Sequence, residues 1–406
     1  MSGERIDVVV AGHICLDLIP SFGETEADLR ALMTPGKLFN VGPLTTATGG
    51  TVSNTGLALR RLGLPARLMG KVGDDLVGRA ILDALRSRDP GAAEGMIVAE
   101  GRPSSYTIVI NPRGVDRIFL HCPGANDTFG ADDVDYDEVA SAKLFHFGYP
   151  PLMRRMYADG GRELQTIFRR VGERGVVTSL DMAYPDPASE AGGAPWLAIL
   201  ERVLPHVDVF LPSFEETLFM LDRERFGRIE KERGGDLISG AEGALLDELA
   251  GRLIGLGCAV VGLKLGDQGL YLRTTGEAAR VAPLAARLGL AAGSWVDREL
   301  LSPCFEVEVA GTTGSGDCTI AGFLAGMLHR LSPEEAMSSA VAVGACNVEQ
   351  ADATSGIPPW EAVQRRIGAG WGRRPLSIPL PGWHWEEASG IWRGPHDGPR
   401  KGGVTR

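Results

Sequence analysis

The sequence predicts an α/β protein: a doubly wound, mostly parallel sheet with a small β lid subdomain. Short β-branched runs alternate with longer helical patterns through most of the 406 residues, which is typical of strands joined by crossover helices. Several runs are continuously apolar, as expected when helices cover both faces of a parallel sheet. One hairpin pattern interrupts the alternation, and it predicts the lid.

The strands of the main sheet follow one another along the chain as short apolar runs. They cover residues 6–10, 67–72, 144–147, 176–181, 207–211, 259–265, 269–272 and 305–309. Two further runs, 106–110 and 117–120, are separated by NPRGVD and predict the hairpin. Together with the irregular sequence near residues 20–46, the hairpin predicts a lid formed by about residues 14–46 and 100–125. Because exposed strand edges are often paired by a partner, a homodimer through the lid is also predicted.

Helix ends are marked at two places. One helix begins near Thr51 and ends at Gly63, where glycine favours a C-terminal cap. Another begins at the sequence SPEE, with Ser332 as N-cap and a capping-box glutamate after the first-turn proline. Residues 222–233, which are highly charged, and 282–304 both have the character of insertions.

The C-terminal end differs in composition from the rest. Residues 361–406 form a Trp-, Gly- and Pro-rich extension of a domain that spans residues 1–360. Within the extension, GWHWEEASGIW predicts a small hairpin, and its indoles are expected to dock the extension onto the body of the protein.

Composition argues against several classes of partner. Lys and Arg number 41 against 52 Asp and Glu, a formal charge of −11, so no basic face is expected for nucleic acid. The six cysteines lack the spacing of a metal site. The N-terminus lacks the apolar core of a signal peptide, and the run at 253–263 is too short to span a membrane. We therefore expect a cytoplasmic protein with a small-molecule partner.

The most informative segment is FEVEVAGTTGSGDCTIAGFLAGMLHRL, residues 305–331. A strand pattern leads into a glycine-rich turn that ends at Asp317, and an amphipathic helix follows. Such a turn offers backbone N–H groups and the positive end of the helix dipole to an anion such as phosphate. No lysine follows the glycines, which excludes a Walker A loop, and the dinucleotide fingerprint fits poorly because its third glycine is missing.

Asp317 has two interpretations on the turn alone. It can stabilise the helix as an N-terminal cap, or it can take a proton from a hydroxyl that attacks a bound phosphate. A second glycine-rich helix opening, GGTVSN at 49–54, favours the second, because two such openings suit a site for two reactants. Asp17, beyond the first strand, lies where open α/β sheets bind ligands. It can accept hydrogen bonds from vicinal hydroxyls or cap a turn.

With these motifs, the sequence resembles the ribokinase-like, or pfkB, carbohydrate kinases over roughly residues 5–360. GGTVSN with the glycines that follow is similar to the family's N-terminal signature, and GTTGSGDCTIAGFLAGM resembles its C-terminal signature. Further landmarks occur in the family's order: GYP at 148–150, Asp181, PSFEET at 212–217 and KLGDQG at 264–269.

The resemblance implies transfer of a phosphoryl group from ATP, with Mg²⁺, to a hydroxyl of a sugar-like acceptor. Asp317 would be the general base, and the amides of Gly314, Ser315 and Gly316 the anion hole. It further implies that the acceptor contacts Asp17, Gly50 and Asn54. The nucleotide would contact Gly266, Gly269 and Asn347, and Glu216 would bind magnesium through water. His121 and Arg113, on the predicted lid, are additional candidates for contact with the substrate.

Two departures from the family pattern bear on activity. Ser213 replaces the asparagine of the family's Asn-x-x-Glu motif, which weakens or rearranges the expected support for the metal. Gly311 replaces the aspartate that usually opens the C-terminal signature and contributes to a monovalent-cation site, which argues against that site here. Three functions stay open: a sugar kinase, which we favour, a nucleoside kinase, and a catalytically weak ligand-binding or regulatory protein on the same fold.

Overall fold

The computed structural model describes residues 6–22, 35–110 and 118–398. The strands of these ranges are β1 Val8–Gly12, β2 Cys15–Pro20, β3 Leu44–Gly49, β4 Ala66–Gly73, β5 Met96–Ala99, β6 Tyr106–Ile110, β7 Ile118–Cys122, β8 Leu144–Gly148, β9 Val177–Leu180, β10 Val209–Phe210, β11 Val260–Lys264, β12 Leu270–Thr274, β13 Glu299–Ser302, β14 His384–Glu386 and β15 Ile391–Arg393. The helices are α1 Thr51–Arg61, α2 Leu76–Arg88, α3 Tyr136–Ser141, α4 Arg154–Tyr157, α5 Arg162–Gly172, α6 Trp196–Val203, α7 Phe214–Leu221, α8 Arg223–Glu232, α9 Gly243–Gly255, α10 Ala278–Leu288, α11 Ser315–Leu328, α12 Pro333–Val348 and α13 Trp360–Gly368.

The main sheet has eleven strands in the described ranges, in the order β14-β15-β13-β12-β11-β10-β9-β8-β1-β4-β5. In this order, adjacent strands pair in parallel from the edge strand β5 as far as β11. From β11 to the other edge strand, β14, adjacent strands pair antiparallel. Successive residues of a strand point to opposite faces. In β1, Val8 and Val10 therefore join one hydrophobic core, and Val9 and Ala11 join the other. The predicted doubly wound α/β fold is confirmed.

The lid is a separate four-stranded sheet in the order β3-β2-β6-β7. Strands β6 and β7 form the predicted hairpin, and β2 pairs with β3 on one side and with β6 on the other. The lid subdomain is thus confirmed. The hairpin turn, with Arg113, lies outside the described residues, and the homodimer stays a prediction.

Two expectations about strands and insertions are wrong. Residues 305–309 form no strand, although FEVEV alternates like one. Phe305 makes only an isolated bridge, and Glu306, Glu308 and Val309 are exposed, because the chain is leaving the sheet here to reach the glycine-rich turn. The expected insertion at 282–304 instead contains β13, a strand of the main sheet. The charged segment at 222–233 forms α8, and Phe226 anchors it in the core.

The C-terminal extension continues the main sheet. Its predicted hairpin is confirmed as β14 and β15, and β15 pairs with β13. A buried ionic network joins Arg298 to Glu334 of α12 and to Asp397. The domain boundary at residue 360 stays a prediction. In the described ranges, no helix has the length and apolar character to cross a membrane.

Candidate functional site

The candidate site lies where four neighbouring strands end. Tyr149 follows β8, Asp181 follows β9, and Lys264 is the last residue of β11. Strand β10 lies between β9 and β11, and α7 begins after it at Ser213, which forms an isolated β-bridge with Lys264. Because the carboxyl ends of parallel strands meet at one edge of the sheet, these side chains surround the point where ligands bind to open α/β folds.

Asp317 reaches this edge from the first turn of α11. The residue is 2% exposed, and its carboxylate accepts three hydrogen bonds. Asn54 Nδ2 and the Tyr149 hydroxyl donate to Oδ2 at 3.0 and 2.7 Å, and the Thr55 hydroxyl donates to Oδ1 at 3.2 Å. Its side chain is therefore held by α1 and by the end of β8, which a simple helix cap would not require.

The environment of Asp317 suits a proton acceptor. Burial raises the pKa of its carboxyl group, while the hydrogen bonds from Asn54 and Tyr149 and the charge of Lys264 partly oppose the rise. Burial also raises the pKa of Tyr149 well above its usual value, so the phenol stays protonated and donates. A base whose pKa approaches the working pH is more effective in proton transfer.

The glycine-rich turn before α11 presents backbone amides beside Asp317. Gly314 is the N-cap, with φ of 73°, and a Cβ there would lie 2.8 Å from the Ala353 side chain, so the position demands glycine. The first amides of a helix have no intrahelical acceptor. Of the three predicted amides, that of Ser315 already donates to Thr312 within the turn, at 3.3 Å. Gly316 is open on its Cβ side, where, outside its own helix, Lys264 has the only described side chain within 4 Å.

The three predicted acceptor residues meet at the junction of the lid and α1. Gly50 caps α1 with φ of 87°, and a Cβ there would lie 2.6 Å from His13 Nδ1. Asn54 holds Asp317 through its amide nitrogen, while its Oδ1 is buried with no partner among the described residues. Asp17, in lid strand β2, packs its carboxylate against Gly49, and burial raises its pKa.

His13 is a site residue that the sequence analysis does not identify. Both its ring nitrogens are buried without a partner in the described part of the chain. Its ring centroid lies 5.2 Å from that of His121 on the lid and 6.0 Å from that of Tyr149. Burial and the neighbouring His121 lower the pKa of His13 well below its usual value, so the ring is neutral. Its position, one residue beyond β1, was the only sequence signal.

Glu216 and Ser213 form a capping box that explains the departure from the family motif. The Ser213 hydroxyl accepts from the Glu216 amide at 3.1 Å, and Glu216 Oε2 accepts from the Ser213 amide at 2.6 Å. Serine thus starts α7 in place of asparagine. Glu216 Oε1 has no hydrogen bond to a described residue. It faces an ion pair between Lys264 and the buried Asp181.

A cavity of about 230 Å³ is lined by Lys264, Gly266, Gly269 and Gly316. Its lining also includes the apolar side chains of Val307, Val341 and Val348. Two of the three predicted nucleotide residues, Gly266 and Gly269, therefore border one cavity. The third, Asn347, does not line it: its buried side chain donates to the carbonyls of Asp352 and Ala353. The expected contact of Asn347 with a nucleotide finds no support here.

A larger, more open depression of about 510 Å³ lies near Arg169, His206 and Arg280. It borders the amino-terminal ends of β9 and β10, away from Asp317. Arg280 is already paired with Asp208 and with two backbone carbonyls. Since ligands of open α/β sheets bind at the carboxyl ends, we assign the chemistry to the smaller cavity.

Comparisons with known proteins agree with this geometry. The model of the pfkB family carbohydrate kinases matches residues 16–360. An uncharacterised sugar kinase from Archaeoglobus fulgidus is 28% identical over 302 residues, which cover 74% of this chain and 98% of that protein. A 2-dehydro-3-deoxygluconokinase from Bacillus subtilis is 25% identical over 358 residues, covering 86% and 95% of the two chains.

A solved structure supports the fold independently. The structure of Arabidopsis thaliana ribokinase complexed with ribose and ATP aligns with a TM-score of 0.65 at 19% identity, over 89% of this chain and 98% of the other. At that identity the likeness concerns the fold alone.

Proposed function

The chain belongs to the pfkB family of carbohydrate kinases, and we propose that it transfers the γ-phosphoryl group of magnesium-ATP to a sugar hydroxyl with Asp317 as general base. The enzyme class, a sugar-phosphorylating phosphotransferase, follows from family membership. The roles of individual residues are our proposal. The observation that carries it is the buried carboxylate of Asp317, held by three donors beside a glycine-rich helix N-terminus.

Proton removal is the part of the reaction that Asp317 performs. The acceptor hydroxyl binds between Asp317 and the glycine-rich turn and gives its proton to the carboxylate as its oxygen attacks the γ-phosphorus. The bond between that phosphorus and the bridging oxygen breaks, and ADP leaves. Asn54 and Thr55 keep the carboxylate oriented, and the raised pKa of Asp317 strengthens it as a base. Phosphoryl transfer needs little more than positioning and charge stabilisation from the protein.

The transferring phosphoryl group lies at the start of α11. The amides of Gly314 and Gly316, with the helix dipole, stabilise its negative charge. The Ser315 amide joins them only if its weak bond within the turn opens. Lys264 adds a positive charge: burial lowers its pKa, but Asp181 and Glu216 raise it more, so the ammonium stays charged.

The residues around Lys264 fit a magnesium ion. Mg²⁺ is bound by oxygen ligands and keeps several waters, and Glu216 offers one carboxylate oxygen that no described residue engages. Glu216 would hold the ion through water, beside the ion pair of Lys264 and Asp181. When bound, the metal neutralises charge on the phosphates.

The acceptor side favours a polyhydroxy compound. Asp17 offers a carboxylate, Asn54 a free carbonyl oxygen, and neutral His13 one donor and one acceptor. Buried polar groups without partners are costly, so an acceptor with several hydroxyls would satisfy them. Each of these groups recognises a hydroxyl, and we favour a sugar over a nucleoside because the family is one of carbohydrate kinases.

The test is a substrate panel with the full chain, ATP and Mg²⁺. Hexoses, pentoses, sugar acids and nucleosides are scored by ADP release above the acceptor-free blank, and ³¹P NMR identifies the phosphorylated product. We expect turnover with at least one sugar. Turnover with nucleosides alone would favour the nucleoside kinase, and no turnover with any acceptor would favour the ligand-binding protein.

A further inference from the structure

The C-terminal extension reaches the mouth of the cavity assigned to the nucleotide. We propose that Arg374, from the part of the chain beyond the family match, binds the phosphates of the nucleotide. Arg374 lines this cavity, whereas the match ends at residue 360. The inference rests on the proposed function in one respect: the cavity must take ATP.

The backbone around Arg374 is fixed to one wall of the cavity. The Arg374 amide donates to the Cys304 carbonyl at 2.8 Å, and the Glu306 amide donates to the Gly372 carbonyl at 2.9 Å. Between these bonds, Phe305 and Arg373 form an antiparallel bridge. Cys304 and Phe305 both line the cavity, so the extension is paired with a segment of its wall.

Side chains of the extension reinforce this attachment. The Trp371 ring stacks on Phe305 with centroids 4.4 Å apart, and the Arg373 guanidinium lies 3.8 Å from the centre of the Phe305 ring. Three residues beyond Arg374, the Ser377 amide and hydroxyl donate to Gln268 Oε1, in the turn between Gly266 and Gly269, at 2.7 and 2.9 Å. The backbone at Arg374 is therefore fixed by contacts on both sides of it in the sequence.

Neighbouring side chains of an extended segment point to opposite sides, and the two arginines do so here. Arg373 turns to Phe305, while Arg374 turns to Asp267, with Nη2 and Oδ2 3.0 Å apart. Asp267 lies in the turn between Gly266 and Gly269, which we place beside the phosphates. The guanidinium therefore lies beside the part of the cavity that we assign to the phosphates.

The charges at the mouth favour exchange of partners. Arg374 and Asp267 are 38% and 60% exposed, and exposed ion pairs contribute little stability. The other cation of the described lining, Lys264, is engaged by buried Asp181. A guanidinium binds phosphate through two parallel hydrogen bonds, so Arg374 can leave Asp267 for a bound polyphosphate.

The experiment measures equilibrium binding to the full chain by calorimetry. The probes are magnesium with a non-hydrolysable ATP analogue, ADP, and adenosine. The variants are Arg374→Ala and Arg374→Glu. Matched controls carry the same changes at Arg365, an exposed arginine of α13 that does not line the cavity. Thermal unfolding verifies that each variant is folded.

We expect Arg374→Ala to raise Kd for the ATP analogue and ADP about three- to tenfold, the range for a partly exposed charge-assisted contact. Arg374→Glu should raise it further, while adenosine binding and the Arg365 variants stay within twofold of the wild type. A wild type that binds no nucleotide would overturn the proposed function together with this inference. Unchanged analogue binding in both Arg374 variants, or equal loss of adenosine binding, would overturn the role of Arg374 alone.

Discussion

Replacing the proposed base with its isosteric amide separates catalysis from folding. In Asp317→Asn, the amide oxygen can take the place of Oδ2 and accept from Asn54 and Tyr149. The amide nitrogen can then donate to the Thr55 hydroxyl, so all three contacts survive. Because burial raises the pKa of Asp317, its ionised form destabilises the fold near neutral pH, and a neutral amide removes that cost. We therefore expect no loss of thermal stability.

The chemical step should respond very differently. An amide cannot take a proton from the acceptor, and loss of general-base catalysis lowers kcat by about 10²–10⁴-fold. At about 1.36 kcal/mol per tenfold, this is a barrier increase of about 2.7–5.4 kcal/mol. The KM for ATP should change little, because the amides of the glycine-rich turn are intact.

The assay is steady-state ADP release with the best acceptor from the panel, together with a pH profile of kcat/KM. In the wild type, activity is lost as pH falls through the raised pKa of Asp317, and this acidic limb should be absent in the variant. Asp222→Asn, the same change at the N-cap of α8, is the matched control. A kcat for Asp317→Asn within tenfold of the wild type, in a folded protein, would refute the assignment of the base.

Three further outcomes are expected. Asp17→Ala should raise the KM for the acceptor about 10- to 100-fold, the effect of losing charge-assisted hydrogen bonds, and leave the KM for ATP unchanged. Steady-state kinetics with each substrate varied measure both constants, and a rise in the KM for ATP instead would contradict this role. Tyr149→Phe removes a hydrogen-bond donor that stabilises ionised Asp317. The acidic limb of the kcat/KM pH profile should therefore move up by about one pH unit. An unchanged acidic limb would exclude Tyr149 as a group that sets the pKa of Asp317. Replacing tetramethylammonium with potassium at constant ionic strength should change turnover less than about twofold. Gly311 offers no carboxylate and packs on Ala351, and the carboxylate of Asp352 already accepts from the Thr354 and Ser355 amides. A severalfold, saturable activation by potassium would show that cations bind without an aspartate.

Most strands of the main sheet could be predicted from local pattern because they are buried on both faces. A short, continuous apolar run such as β1 favours a strand of a parallel sheet that helices cover on both sides. The failure at residues 305–309 has the opposite cause. FEVEV has the alternation of a half-buried strand, but strand β13 and the extension already occupy the adjacent sheet positions. Local pattern carries no information about that competition.

The candidate site likewise contains residues that the sequence predicts and residues that it does not. Asp317 and the glycines around it occur in one contiguous segment, so their joint role can be recognised from the sequence. Tyr149, His13 and Lys264 are each single residues at the ends of different strands, and only the strand order brings them together. Asn347 shows the limit of an assignment by sequence position, because its side chain donates to the backbone at 352–353 and its contact with a nucleotide stays a prediction.

The pairing of β15 with β13 has a consequence for the colloidal behaviour of shortened chains. A chain cut at residue 360, where the family match ends, would leave β13 with an uncovered row of N–H and C=O groups. The side chains of β13 are buried in the intact protein and include Leu300 and Leu301, so the new edge would also carry apolar groups. Unprotected edges of this kind pair with edges of other molecules. The native edge strand β14 is only three residues long and carries Glu386, so the extension acts as a barrier to aggregation.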